Sequence, residues 1–132
     1  VFSRTATLFF VTGAVVDKTL QPPMGMYEEV LGLGFEIGNN KMVEDIFGST
    51  WDEKIPKDEV MLRLVEKLKI NGENVLVIGD GRSEIIAGVK LGAVTVSILP
   101  KDAKRQRELH KELGTNMIID NYKSQDLLNI FD

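Results

Sequence analysis

The sequence predicts an α/β protein built on a mainly parallel sheet with helices on both faces. Two runs, Leu8–Val11 and Val75–Ile78, are continuously apolar, as strands buried on both faces are, and Val94–Ile98 is a third run, β-branched except at Ser97. Segments with helical spacing stand between and after them, and glycine-bearing or polar turns punctuate the chain. Strands and helices in alternation close most simply into a Rossmann-like, three-layer α/β/α arrangement joined by right-handed crossovers.

Each element follows from local pattern. Ala6–Val11 reads as a strand stopped by Thr12-Gly13. Pro22-Pro23 opens a helix that carries Met26, Tyr27, Val30 and Leu31 at helical spacing and ends near Leu31. Gly34–Asn40 is expected to be loop, Asp45–Gly48 a short strand, and Ser49–Glu53 a polar turn. From Lys57 to Leu68, the residues Val60, Met61, Leu64, Val65 and Leu68 trace one face, with Asp58 and Glu59 well placed in the first turn. Asn71-Gly72 closes that helix before the Val75–Ile78 strand runs into Gly79-Asp80. Glu84–Leu91 is helical and ends at Gly92, Val94–Ile98 is a strand, and Lys101–Leu113 is a charged amphipathic helix. Met117–Ile119 is a short strand and Ser124–Phe131 a final helix. No internal repeat or linker divides the chain, so a single domain over residues 1–132 is expected, with no evident cap insertion.

Composition narrows the chemistry. With 43% hydrophobic and 27% charged residues, the chain can bury a core. A net charge of −4 and a single histidine argue against a nucleic-acid surface and against a histidine-rich metal site, so any metal is expected to be held by oxygen. The absence of cysteine excludes disulfides, zinc-thiolate sites and thiol nucleophiles, and fits a cytoplasmic location. No apolar run reaches the roughly 20 residues of a membrane span, and Val1–Val11 lacks the signature of a signal peptide. A start at Val1 that enters a strand almost at once predicts a portion of a longer or processed protein. No G-x-G-x-x-G follows a strand, which disfavours a dinucleotide site.

Ligands of parallel α/β sheets bind where the carboxyl ends of the strands meet their loops. Asp80 follows four apolar residues and lies between Gly79 and Gly81, and Glu84 begins the next helix, so the two carboxylates suit Mg²⁺. The same spacing equally suits a turn or N-cap Asp80 followed by a solvated first-turn Glu84. Thr12 and Gly13 offer a hydroxyl and backbone N–H groups to a phosphoryl oxygen, or form an ordinary turn. Lys54 and Lys57, flanking Ile55-Pro56, are each able to neutralise charge on a transferring phosphoryl group, or are simply solvated. Arg82 lies inside the acidic turn, where it can contact substrate or bridge to Glu84. The basic stretch Lys104-Arg105-Gln106-Arg107, with His110 and Lys111, reads as a solvated face because Glu108 and Glu112 interrupt it. Trp51 can pack over the site or a partner, and Asp120 reads as a loop or N-cap acid.

Taken in order, strand-Thr-Gly, lysine turn and helix, then strand-Gly-Asp-Gly-x-x-Glu resembles the second, third and fourth motifs of the haloacid-dehalogenase-like (HAD) superfamily. Its members are mostly Mg²⁺-dependent phosphatases with an aspartate nucleophile. The resemblance implies that Thr12 binds the phosphoryl group, that Lys54 is the third-motif lysine with Lys57 as a competing register, and that Asp80 and Glu84 hold Mg²⁺. Glu84 stands where many members have Asp. Ala87–Ala93 is similar to the family's following helix and turn, and the match runs from Leu8 to Ile98 and on towards Phe131. A phosphorylated small molecule is the implied substrate. The family domain also occurs joined to a ribokinase-like sugar kinase, although no residue here indicates a kinase.

One family motif is missing from this sequence. The family's first motif, an apolar strand ending in Asp-x-Asp-Gly, does not precede Thr12, and the echo at Val15-Val16-Asp17-Lys18-Thr19-Leu20 has Val15 at the nucleophile position. In the family that strand lies between those bearing Thr12 and Asp80. The expectation is an incomplete HAD-like core, in which the two strands pair directly or a partner segment or second subunit completes the sheet. The alternative is a non-catalytic phosphate- or metal-binding module.

Overall fold

The computed structural model describes residues 6–16, 37–38 and 43–131. The helix expected from Pro23 to Leu31, Asp17, and most of the Gly34–Asn40 loop lie outside the described residues. The described strands pair only in parallel, in two small sheets, and the α/β class is as the sequence predicts. The chain divides into two compact units, with the boundary inside helix α1 (Lys57–Leu68).

In the N-terminal unit, β1 (Phe9–Val15) pairs with β2 (Asp45–Ser49). Val43 and Ile46 are fully buried there, packed by Phe10, Val16 and Ile37, and the rings of Phe9 and Phe47 meet at 5.9 Å. The expected strand stop at Thr12-Gly13 does not occur. Val11 is opposite Phe47 and Val15 opposite Ser49, so β1 carries extra residues through an irregular stretch and then resumes pairing. Gly48 makes this possible. A Cβ on it would lie 2.5 Å from the Ala14 carbonyl oxygen and 2.7 Å from a Val16 methyl, so only glycine lets the bulged segment press against β2.

Helix α1 buries Val60, Met61, Leu64 and Val65 of the face its spacing predicts, whereas Leu68, at its last position, is exposed. It ends at Leu68, as traced from the sequence, and ahead of Asn71-Gly72 it is Lys69 that adopts the left-handed conformation (φ 53°) that usually falls to glycine. Lys69→Gly is therefore expected to raise stability by about 1 kcal/mol, read as a higher midpoint in urea.

The C-terminal unit holds β3 (Leu76–Gly79), α2 (Arg82–Leu91), β4 (Val94–Ile98), α3 (Lys104–Leu113), β5 (Met117–Ile119) and α4 (Gln125–Leu128), with sheet order β3-β4-β5. Helix α3 begins after a turn closed by the Ala103 N–H on the Pro100 carbonyl, and α4 spans four residues, both shorter than the sequence suggests. One sheet face presents Leu76, Ile78, Val96, Ile98, Met117 and Ile119 to Leu127, Ile130 and Phe131. The other presents Val77, Thr95 and Ser97 to α2 and α3, where Gly88 seats directly on Thr95 and Val77 and His110 reaches Ser97. This unit is thus three layers thick. Among the described residues, no helix is long and apolar enough to cross a membrane.

Candidate functional site

At the carboxyl end of β3, Asp80 is exposed immediately beyond Gly79. The N-cap of α2 is Gly81, in an extended conformation with no side-chain cap bond, so Asp80 does not serve as the helix cap. Glu84 is not solvated either: it lies in the first turn of α2 and is only 6% exposed. Its side chain folds back over the turn. A Cβ on Gly79 would stand 2.5 Å from Glu84 Cγ and 2.7 Å from Cδ, and one on Gly81 would collide with Oε1. The two glycines form a cradle that the Glu84 carboxylate fills. Taking a carboxylate out of water is costly unless compensated, and the positive end of the α2 dipole offsets part of that cost.

The donor chemistry fits Mg²⁺, which takes one or two carboxylates and completes its shell with water and phosphate oxygens. Among the described residues, no three His, Asp or Glu side chains gather into a complete metal cage. Arg82 and Ser83 are exposed on the same first turn of α2 as Glu84.

In the N-terminal unit, Thr12 and Gly13 lie inside β1, within the irregular stretch. Thr12 Oγ1 accepts the Ala14 N–H at 3.1 Å, which leaves its own O–H available as a donor. Its methyl would be 3.0 Å from a Cβ on Gly48, so Thr12 packs against the residue preceding Ser49. Lys54 is exposed in the segment between β2 and α1, whereas Lys57 is half-buried as the first residue of α1.

Ser49, which sequence reasoning placed only in a polar turn, organises that segment. It is 1% exposed, and its Oγ donates to the Ile55 carbonyl and accepts the Ile55 N–H, both at 2.9 Å. Its carbonyl accepts the Val16 N–H at 3.0 Å. Between those anchors, the Thr50 N–H donates to the Glu53 carbonyl and the Glu53 N–H to Thr50 Oγ1, both at 3.0 Å. Arg63 of α1 adds exposed bonds to Glu59 (2.7 Å) and Glu53 (3.4 Å), and the Glu59 hydrogen bond raises its pKa further above the ordinary value. The structure thus ties the Thr12 segment and the Lys54 loop to one residue, and places Asp80 with Glu84 on one turn.

A second cluster overturns the solvated reading of His110, which is 2% exposed. Its Nδ1 lies 2.7 Å from Ser97 Oγ, and Ser97 Oγ donates to Thr115 Oγ1 at 2.9 Å. Thr95 and Asn116 add a reciprocal pair, with the Thr95 N–H on Asn116 Oδ1 (2.9 Å) and the Asn116 N–H on Thr95 Oγ1 (3.1 Å). Arg107 likewise turns inward, donating to the Leu99 and Pro100 carbonyls at 2.8 and 2.9 Å. Lys104, Arg105 and Lys111 are exposed, as the sequence predicts; His110 departs because a β4 hydroxyl meets it, and Arg107 because the Leu99 and Pro100 carbonyls do. Asp120 is a loop acid beyond β5, 3.6 Å from Lys101 Nζ, and Trp51 is 63% exposed.

No protein-family model and no curated protein matches this chain. Among solved structures it is similar to the crystal structure of a predicted phosphatase from Clostridium acetobutylicum, with a TM-score of 0.65 and 19% identity over 94% of this chain and 51% of that one. The chain spans about half the length of that protein. The two share a Rossmann-like α/β fold.

Proposed function

We propose that this chain carries the phosphate- and metal-binding part of a cytoplasmic, Mg²⁺-dependent phosphomonoesterase of the HAD type, its two units being parts of one domain. The observation that carries this reading is the buried Glu84 carboxylate, cradled by Gly79 and Gly81 beside an exposed Asp80. In this role Asp80 and Glu84 hold Mg²⁺, which when bound lowers the negative charge of a phosphoryl group. Thr12 donates its hydroxyl to a phosphoryl oxygen, with Gly13 allowing close approach, and Lys54 balances the developing charge. Arg82, exposed on the first turn of α2, contacts the remainder of a phosphorylated small molecule.

The attacking carboxylate is not found in these 132 residues, which contain no Asp-x-Asp-Gly. An apolar strand bearing it, from a partner segment or second subunit, would restore turnover. The chain by itself is therefore expected to bind without hydrolysing. Paramagnetic Mn²⁺ is a suitable probe, since it broadens NMR signals near its ligands. Asp80→Asn should weaken Mn²⁺ binding about tenfold, because the amide oxygen still coordinates but the charge is gone. Unchanged Mn²⁺ affinity in that variant would contradict the assignment. Robust phosphate release from a phosphomonoester by Asp80→Asn would contradict it equally. The missing nucleophile also supports a second reading, a regulatory module that keeps the phosphate site without the chemistry. Adding the Asp-bearing strand separates the two, since only the enzyme regains phosphate release.

A further inference from the structure

Ser49 occupies a position that the phosphatase reading does not by itself assign. It ends β2, is almost wholly buried, and uses its side chain and its carbonyl to hold two separate segments. One is the stretch of β1 that bears Thr12 and returns to pairing at Val15 and Val16. The other is the loop that bears Lys54, locked at its far end by the paired Ser49–Ile55 bonds and at its near end by the Thr50–Glu53 turn. Lys54 is the one residue between these two anchors, with a fixed backbone and an exposed side chain. A cation on an unanchored loop must lose the freedom of the whole loop when it meets an anion, whereas one on a pinned backbone loses only its own side-chain freedom.

We propose that Ser49 is a positioning residue for anion binding: through Ile55 it presents the Lys54 ammonium to the phosphate bound at Thr12. This role rests on the functional reading above, since it takes Lys54 and Thr12 as the phosphate-binding groups. A hydroxyl suits the task because a single oxygen both donates and accepts, so that it grips the N–H and C=O of one residue at once. Alanine has the same backbone preference range but can do neither.

The test is a double-mutant cycle on the full chain, with inorganic phosphate and Mg²⁺ as the probe and calorimetry as the readout. Ser49→Ala and Lys54→Ala are each expected to weaken phosphate binding about tenfold, and the double variant should bind no more weakly than Lys54→Ala alone. Ser49→Thr, which keeps the hydroxyl, should recover most of the affinity. Should Ser49→Ala fail to fold, Thr50→Ala carries the cycle instead, because Thr50 is exposed and its loss opens only the turn before Lys54. Additive losses, or phosphate affinity indifferent to Ser49→Ala, would overturn the positioning role while leaving the functional reading in place. A parent chain that binds no phosphate at all would overturn both.

Discussion

His110→Ala should lower the stability of this protein by about 3 to 4 kcal/mol. Two losses combine. Removing an imidazole that is 2% exposed leaves a cavity between α3 and β4. It also strips Ser97 Oγ, fully buried, of the partner 2.7 Å away, leaving only its bond to Thr115 Oγ1, and the loss of a buried hydrogen bond costs about 1 kcal/mol. The expected drop in Tm is about 10 °C for a domain of this size, measured by circular dichroism. His110→Gln keeps polar atoms near Ser97 and should recover part of the loss. A fall in Tm of only a degree or two for His110→Ala would mean that the cluster contributes little.

Gly81→Ala is expected to have the largest effect on ligand binding, weakening Mn²⁺ or Mg²⁺ about a hundredfold while leaving the fold intact. The backbone at Gly81 is in an extended conformation open to any residue, so alanine introduces no backbone strain. Its methyl would instead occupy the place of Glu84 Oε1 and drive the carboxylate off the turn. Gly79→Ala should act in the same way through Cγ and Cδ. Glu84→Gln supplies the comparison, because it fills the cradle without the charge. If Gly81→Ala bound the cation as tightly as the parent, the cradle would have no part in coordination.

The pairing of Asp80 with Glu84 was legible because it is local: an apolar strand, two glycines and the first turn of a helix place both acids within five residues. Spacing alone did not show whether Glu84 is solvated, and its burial, a tertiary fact, rules out only the solvated reading. Thr12 misled for a related reason. Thr-Gly is a turn signal, yet the empty side of Gly48 in another strand lets β1 bulge and continue to Val15. His110 and Ser49 were missed because their meaning lies in partners: a hydroxyl on β4 for one, and the backbone of a residue across a loop for the other. Periodicity sees faces, and it correctly found the buried face of α1, but it does not see which polar atoms on a face will meet.

The registers of the two sheets also set an order of assembly. In the C-terminal unit Leu76 finds Val94 and Val96 finds Met117, each across a single intervening helix. Phe9 must find Asp45, a separation roughly twice as long, and closing a longer loop costs more entropy before any contact rewards it. Local topology speeds folding, so β3, β4 and β5 would be the first strands to assemble as the chain collapses. The Glu84 cradle would then exist before the Thr12 bulge closes against Gly48.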